Sequence, residues 1–175
     1  CLPSIRWAAT ESPMPLDLTA APSTDPALIG ARLDAGTARG AVTRVDAAEL
    51  AGSCAVVIRP LAEAHGLSFT LSAVGPAELD TDADRLREVL MNLLHNAVEY
   101  NRPQGLVRIE AQQLDGRVCI HVRDEGQGLS AAEIEHLFVP FKRLSGTGHR
   151  PGTGLGLSIA QLLVQHMGGE IHVAS

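Results

Sequence analysis

Aromatic side chains make up only 3% of this 175-residue chain, and nowhere does an apolar run approach the length of a membrane span. The first scarcity removes the stacked-ring platform on which single-stranded nucleic acids lie. The second, with no charged-then-apolar start, leaves no transmembrane helix or signal peptide in view. Cysteine is sparse too: Cys1, Cys54 and Cys119 lack CxxC spacing, which argues against a disulfide framework or zinc site and suits a reducing compartment. Basic residues are outnumbered, 14 Lys+Arg against 20 Asp+Glu for a formal charge of −6, so nucleic acid and anionic membranes are poor partners. Gly-x-Ser-x-Gly and Gly-Lys-Ser/Thr are both missing, which closes the P-loop route to nucleotides. The histidines, at positions 65, 95, 121, 136, 149, 166 and 172, show no HxxxH spacing and are expected to pack or face solvent.

What the chain has in abundance is glycine at informative places. Gly152-Thr153-Gly154-Leu155-Gly156-Leu157 runs into an amphipathic segment, and Asp124-Glu125-Gly126-Gln127-Gly128 lies a short loop-helix unit upstream. Residues without a Cβ let the backbone approach a bulky ligand, and the N-terminus of a following helix offers unpaired N–H groups to phosphate. Either run alone reads equally well as an ordinary glycine turn. Their pairing points to a nucleotide pocket.

A content of 45% hydrophobic residues supports one core, so a single domain with an appended segment is expected. Residues 1–45 read as a linker or poorly ordered arm, because prolines at 3, 13, 15, 22 and 26 interrupt any periodic pattern. Opening on Cys1 instead of Met is expected of a piece of a longer protein. Within the arm, Ala27 to Gly36 has room for a short helix. The domain proper is read as 46–175. Asp46 with Glu49 caps a helix through Leu50, Cys54, Ile58 and Leu61, with Pro60 inside it. Leu67, Phe69 and Leu71 alternate as a strand. Thr81-Asp-Ala-Asp84 reads as a capping box for a helix reaching Tyr100, apolar at Leu86, Val89, Leu90, Leu93, Leu94 and Ala97. Val107–Gln113 and Val118–Arg123 alternate around Asp115-Gly116, a hairpin signal. Ser130 and Glu133 cap a short helix to about Phe138, Leu155–Met167 forms the last helix, and Ile171 and Val173 begin a strand that the chain end truncates. A hairpin with helices able to share one sheet face predicts an α+β fold, a two-layer α/β sandwich.

On the helix ending at Tyr100, Glu88, Asn92, Asn96 and Tyr100 recur every four residues. Asn is a mediocre helix former, costing roughly 0.5 kcal/mol or more against Ala, so two on one side call for a reason. Asn96 offers a neutral oxygen suited to Mg²⁺, or the row simply lines a solvated face. Asp124 can accept a hydrogen bond from an exocyclic amino group, or merely start a turn. Phe138 and Phe141 flank Pro140 ahead of Lys142-Arg143; the rings either anchor a loop that places a cation near phosphate or belong to the core. The loop from Ser145 to Gly152 has the composition of a lid.

In order, Asn92-Leu-Leu-His-Asn96-Ala-Val-Glu-Tyr100, Asp124-Glu-Gly-Gln-Gly128, Phe138-Val-Pro-Phe141-Lys-Arg143 and Gly152-Thr-Gly-Leu-Gly156 resemble the N, first glycine, F and second glycine boxes of sensor histidine kinases. The resemblance covers about Asp46 to Ser175 and implies the Bergerat fold, a mixed, largely antiparallel sheet covered on one face by about three helices. It implies ATP as substrate, with Asn96 as the Mg²⁺ ligand, Asn92 as its phosphate-side companion, Tyr100 against the adenine and Asp124 reading its amino group. Gly126 and Gly128 would allow close approach, Phe138, Phe141 and Lys142 would belong to the nucleotide-binding set, and Arg143 would face the terminal phosphate. Gly152, Thr153, Gly154, Leu155 and Gly156 would cradle phosphates. The implied partners are the protein's own dimerisation and phosphoacceptor domain, in a homodimer, and a cognate response regulator. The implied place is the cytoplasm, including the cytoplasmic part of a membrane-bound sensor.

In the hydrolytic branches of that superfamily the residue four before the metal-binding Asn is a Glu serving as base. Here it is Asn92, which cannot take a proton, so phosphoryl transfer to a histidine is expected over hydrolysis. Two departures stand out. Glu99 occupies a position where the family commonly has Lys directed at the phosphates, so either Arg102, Lys142 or Arg143 compensates or nucleotide affinity falls. No phosphoacceptor box occurs, although Ala27–Gly36 resembles the end of a second dimerisation helix. Two alternatives stay open: a catalytically weakened nucleotide-binding module, and a serine kinase of the same fold.

Overall fold

Alternating apolar positions on the strands and apolar stripes on the helices meet in one layer of side chains. A computed structural model describes residues 2–8, 41–114, 116–142 and 154–175, with the backbone alone for 2–8 and Val74. The strands are β1 (Leu2–Ala8), β2 (Thr43–Asp46), β3 (Ser68–Val74), β4 (Glu78–Thr81), β5 (Leu106–Leu114), β6 (Arg117–Arg123) and β7 (Gly169–Ala174). The helices are α1 (Ala47–Ala64), α2 (Ala83–Glu99), α3 (Ala131–Glu135) and α4 (Gly156–His166). A five-stranded sheet runs β3-β5-β6-β1-β7, and β2 and β4 form a two-stranded one. Among the described strands only β3 against β5 is parallel; the other pairings are antiparallel. This is the two-layer, mixed and largely antiparallel sandwich expected.

The hairpin β5–β6 pairs Ile109 with Val122 and Ala111 with Ile120. With Val107 and Val118 these side chains are buried against Ile58 of α1, Leu86, Leu90, Leu93 and Leu94 of α2, and Ala160 and Val164 of α4. Each large aliphatic side chain removed from water there contributes roughly 1.5–3 kcal/mol, which fixes the helices to that face. The opposite face of the hairpin is polar, with Glu110 bridging Arg108 and Arg123 at 3.8 and 3.5 Å.

Three details differ from the expectation. Residues 2–8, read above as part of a linker, form β1 between β6 and β7 in the sheet. Pro3 argues against an interior strand, but it stands at the strand's start, where its missing N–H is tolerated. The N-cap of α2 is Asp82, not Thr81: Asp82 Oδ1 accepts the N–H groups of Asp84 and Arg85 at 3.1 Å each. Thr81 instead closes β4 and donates its hydroxyl to Met167 Sδ at 3.2 Å. Finally, α3 ends at Glu135 instead of near Phe138. The helix expected at 27–36 lies outside the described residues.

Candidate functional site

α2 carries the site along one flank. Its buried stripe of Leu86, Val89, Leu90, Leu93, Leu94 and Ala97 faces the core, so the i, i+4 row of Asn92 and Asn96 must stand at the stripe's edge, half-buried. At the Asn92 level the neighbour is the start of α4. A Cβ placed on Gly156 would sit 3.3 Å from Asn92 Oδ1, so backbone and amide are in close contact only because the glycine has none. No side chain caps α4 at Leu155, and the helix therefore presents its first N–H groups beside Asn92.

Two turns along, Tyr100 ends α2, with its N–H donating to the carbonyl of Asn96 at 3.0 Å. There the first glycine motif meets the helix. A Cβ on Gly126 would lie 2.5 Å from the Tyr100 carbonyl oxygen and 2.9 Å from Asp124 Oδ1. The Gly126 N–H donates to Asp124 Oδ1 at 2.8 Å, an Asx turn that fixes the carboxylate's direction. Gly128 has φ +75° and packs against Ser175 Oγ. The eight-residue step from Asn92 to Tyr100 spans about 12 Å of helix. Both glycine motifs thus touch the same helix flank, one at each end.

The phenylalanine motif is tied to the second glycine motif through the backbone. The Phe141 N–H donates to the Gly154 carbonyl at 3.1 Å, and a Cβ on Gly154 would lie 3.2 Å from Phe141 Cα and C. Gly154 has φ +70°, which L side chains rarely adopt, and Phe141 itself has φ +61°. Phe138 is half-buried, whereas Phe141 and Lys142 are exposed, so Phe141 is no core residue. Leu155 is buried and anchors the start of α4. Arg143, Gly152 and Thr153 lie outside the described residues, as does the expected lid between them.

Of the cations offered as compensation for Glu99, Arg102 has an acidic partner of its own and Arg143 lies outside the described residues. Arg102 holds Glu125 at 2.6 Å through Nη2. Glu125 also accepts the Leu106 N–H at 3.3 Å, and its carboxyl is held below the usual range, first by the Arg102 hydrogen bond. Glu99 has its carboxylate 3.7 Å from Nε2 of His65, the C-cap of α1. Residue-by-residue reading missed the Arg102–Glu125 pair because 23 positions separate its members and no motif joins them.

Among the described residues no three His, Cys, Asp or Glu side chains converge on a possible metal position. The described residues therefore build no cage from those side chains. The donor set instead fits a cation that takes one neutral amide oxygen, such as that of Asn96, and fills its shell from substrate and water, as Mg²⁺ does.

Residues 81–175 match the family described as histidine kinase-, DNA gyrase B-, and HSP90-like ATPase. The chain is 34% identical over 133 residues to histidine protein kinase DivJ of Caulobacter vibrioides, covering 74% of this chain and 22% of that protein. It is 43% identical over 98 residues to sensor protein KdpD of Mycobacterium tuberculosis, covering 56% and 11% respectively. The chain thus spans about a fifth or less of these curated relatives. Among solved structures, full-length ShkA in complex with AMPPNP aligns at a TM-score of 0.66 and 30% identity, over 79% of this chain and 29% of that one. The mycobacterial sensor histidine kinase MprB aligns at 0.64 and 26%, over 73% and 80%.

Proposed function

The chain belongs to the histidine kinase-, DNA gyrase B- and HSP90-like ATPase family, and on that basis we propose that it is the catalytic domain of a two-component sensor kinase. In this reading it binds Mg-ATP and passes the γ-phosphoryl group to a histidine on a separate dimerisation domain. One observation carries the reading: the α2 flank bearing Asn92, Asn96 and Tyr100 is met by a glycine motif at each end. A nucleoside triphosphate laid along that flank would have its base at Asp124 and Gly126 and its phosphates at the uncapped start of α4.

The residues divide the labour accordingly. Asp124 accepts from the base's amino group, Gly126 and Gly128 let the backbone come close, and Tyr100 offers a ring against the base. Asn92 and the first N–H groups of α4 hold phosphate oxygens. Asn96 would hold Mg²⁺, which supplies charge neutralisation on the phosphates when bound. By the family resemblance Phe138, Phe141 and Lys142 would border the nucleotide, Arg143 would face its terminal phosphate, and Gly152 and Thr153 would help cradle the phosphates. Phosphoryl transfer forms a bond from imidazole nitrogen to γ-phosphorus and breaks the bond to the β–γ bridging oxygen, with ADP leaving. The protein contributes position and charge, and Asn92 supplies no base to activate water.

The acceptor histidine, a homodimeric full-length protein and a response regulator that receives the phosphoryl group belong to this proposal. So does a place on the cytoplasmic side of any membrane-bound sensor; no helix among the described residues is long and apolar enough to cross a membrane. The second reading, a nucleotide-binding module with weakened transfer, is favoured by Glu99 alone. Supplying a dimeric phosphoacceptor hairpin with γ-labelled ATP separates the two. Acid-labile, base-stable label on the hairpin is expected; nucleotide binding without any transfer would leave only the second reading.

A further inference from the structure

Between α2 and β5 the chain makes a tight turn whose backbone is pinned from within. Asn101, 9% exposed, accepts the Arg102 N–H at 2.9 Å and donates Nδ2 to the Leu106 carbonyl at 3.2 Å. Gly105 has no room for a side chain: a Cβ there would run into Asn101 Oδ1 and lie 2.9 Å from the Arg102 carbonyl. This turn is closely packed and hydrogen-bonded, and it leaves directly from Tyr100. Arg102 projects from it to Glu125 at 2.6 Å, and the same Glu125 oxygen accepts the first amide of β5, Leu106 N–H, at 3.3 Å. Glu125 lies between Asp124 and Gly126, the two residues that shape the first glycine motif.

We propose that Arg102 and Glu125 are a positioning clamp that sets the base end of the nucleotide site by locking the 124–126 loop to the end of α2. The proposal rests on the nucleotide reading above. The loop is held on its inner side by the close approach of Gly126 to the Tyr100 carbonyl. The contacts of Glu125 with Arg102 and the Leu106 N–H add a second fixed point on the outer side of the loop. The direction in which Asp124 faces follows the setting of the loop, since its Oδ1 is tied to the Gly126 N–H at 2.8 Å.

The chemistry distinguishes a clamp from a stabilising ion pair. The two side chains are 63% and 44% exposed, so screening leaves little contribution to global stability. Orientation is a different matter, because a single well-aligned charge-assisted hydrogen bond selects one loop setting among several of similar energy. Arg102 is in consequence directed at the base end and does not compensate Glu99 at the phosphates.

The test measures binding of ATP and of adenosine, which probes the base end alone, to the chain and to Glu125→Gln, Arg102→Met, Arg102→Lys and the exchanged pair R102E/E125R. Each single substitution is expected to weaken both ligands by about three- to tenfold with the melting temperature nearly unchanged, and the exchanged pair to recover much of the loss. Arg102→Lys keeps the charge and folds most safely; it should retain part of the affinity and lose it in high salt. Amide exchange should rise at Leu106 and Gly126 in the single variants. Unchanged adenosine affinity in variants of a chain that binds ATP overturns the clamp and leaves the nucleotide reading intact. A parent chain that binds neither ligand overturns both.

Discussion

The amide of Asn92 faces the backbone of Gly156: a Cβ on that glycine would come within 3.3 Å of Asn92 Oδ1. This separation is just tighter than comfortable, so Gly156→Ala folds but pushes the amide aside. Gly156 is the first residue of α4, where alanine gains over glycine less than the roughly 1 kcal/mol of a helix interior, so stability should change little. Phosphate affinity should fall several-fold nonetheless. Thermal unfolding and ATP titration on the same variant check the two effects separately; equal or tighter binding would show that Asn92 has no part in holding phosphate.

Gly126 is a harsher case. The atom 2.5 Å from its would-be Cβ is the Tyr100 carbonyl oxygen, a backbone atom that cannot swing away. Gly126→Ala must displace the loop or the end of α2, at a cost of about 1–3 kcal/mol typical of overpacking. Gly52→Ala is the control: its nearest neighbour is Leu71 Cδ2 at 3.6 Å, an ordinary contact. Denaturant midpoints should drop for the first and hold or rise for the second. Equal midpoints would mean that the approach at Tyr100 is looser than this.

The capping box of α3 gives a pH dependence. Glu133 accepts the N–H and hydroxyl of Ser130, at 2.8 and 2.6 Å, and the hydroxyl bond first of all holds its carboxyl below the usual range. A lowered folded-state pKa contributes stability that is complete above the unfolded value near 4.3 and is lost as pH falls through the folded value. The protection of the Ser130 and Glu133 amides, taken relative to their intrinsic exchange rates, should therefore fall below about pH 4. Ser130→Ala should remove that acid-side change; an unaltered profile would assign it to another group.

How much of this was legible in advance depends on range. The hairpin was, because Asp115-Gly116 between two alternating runs is a local signal, and Gly116 does take φ +74°. So were the caps at Asp46 and Ser130, whose partners lie within three residues. β1 was not, because its pairing with β6 and β7 is set by residues more than a hundred positions away, and Pro3 points the other way. Thr81 was mistaken for the cap because Thr81 and Asp82 offer the same chemistry one residue apart. At the site, the motifs gave the residue types, but only the packing shows that Gly126 meets Tyr100 and Gly156 meets Asn92. The partners of Glu99 and Arg102 required the fold.

Replacing Glu99 with Lys tests the charge environment. If Glu99 weakens the site by opposing phosphate, reversal should tighten ATP binding by up to about tenfold at low salt and less at 0.5 M, as screening requires. The alternative is that its proximity to His65, 3.7 Å away, keeps the carboxylate from the phosphates. His65→Ala then decides: affinity should fall further in that variant if His65 restrains Glu99, and Glu99→Lys should gain nothing if it does not face phosphate at all.

Asn96→Ala addresses the metal. A lone amide oxygen contributes one ligand to a cation whose remaining shell comes from phosphates and water, so its loss should not abolish nucleotide contact through Asp124 and the glycine motifs. What should vanish is the gain in ATP affinity on adding Mg²⁺, while adenosine, which brings no phosphate, should bind the variant and the parent alike. Asn92→Ala should weaken ATP with and without Mg²⁺ if, as proposed, Asn92 beside Gly156 meets the phosphates and not the cation. The pair of titrations separates a metal ligand from a phosphate donor four residues away. Retention of the full Mg²⁺ response in Asn96→Ala would move the cation elsewhere and leave the amide row as a feature of the helix surface.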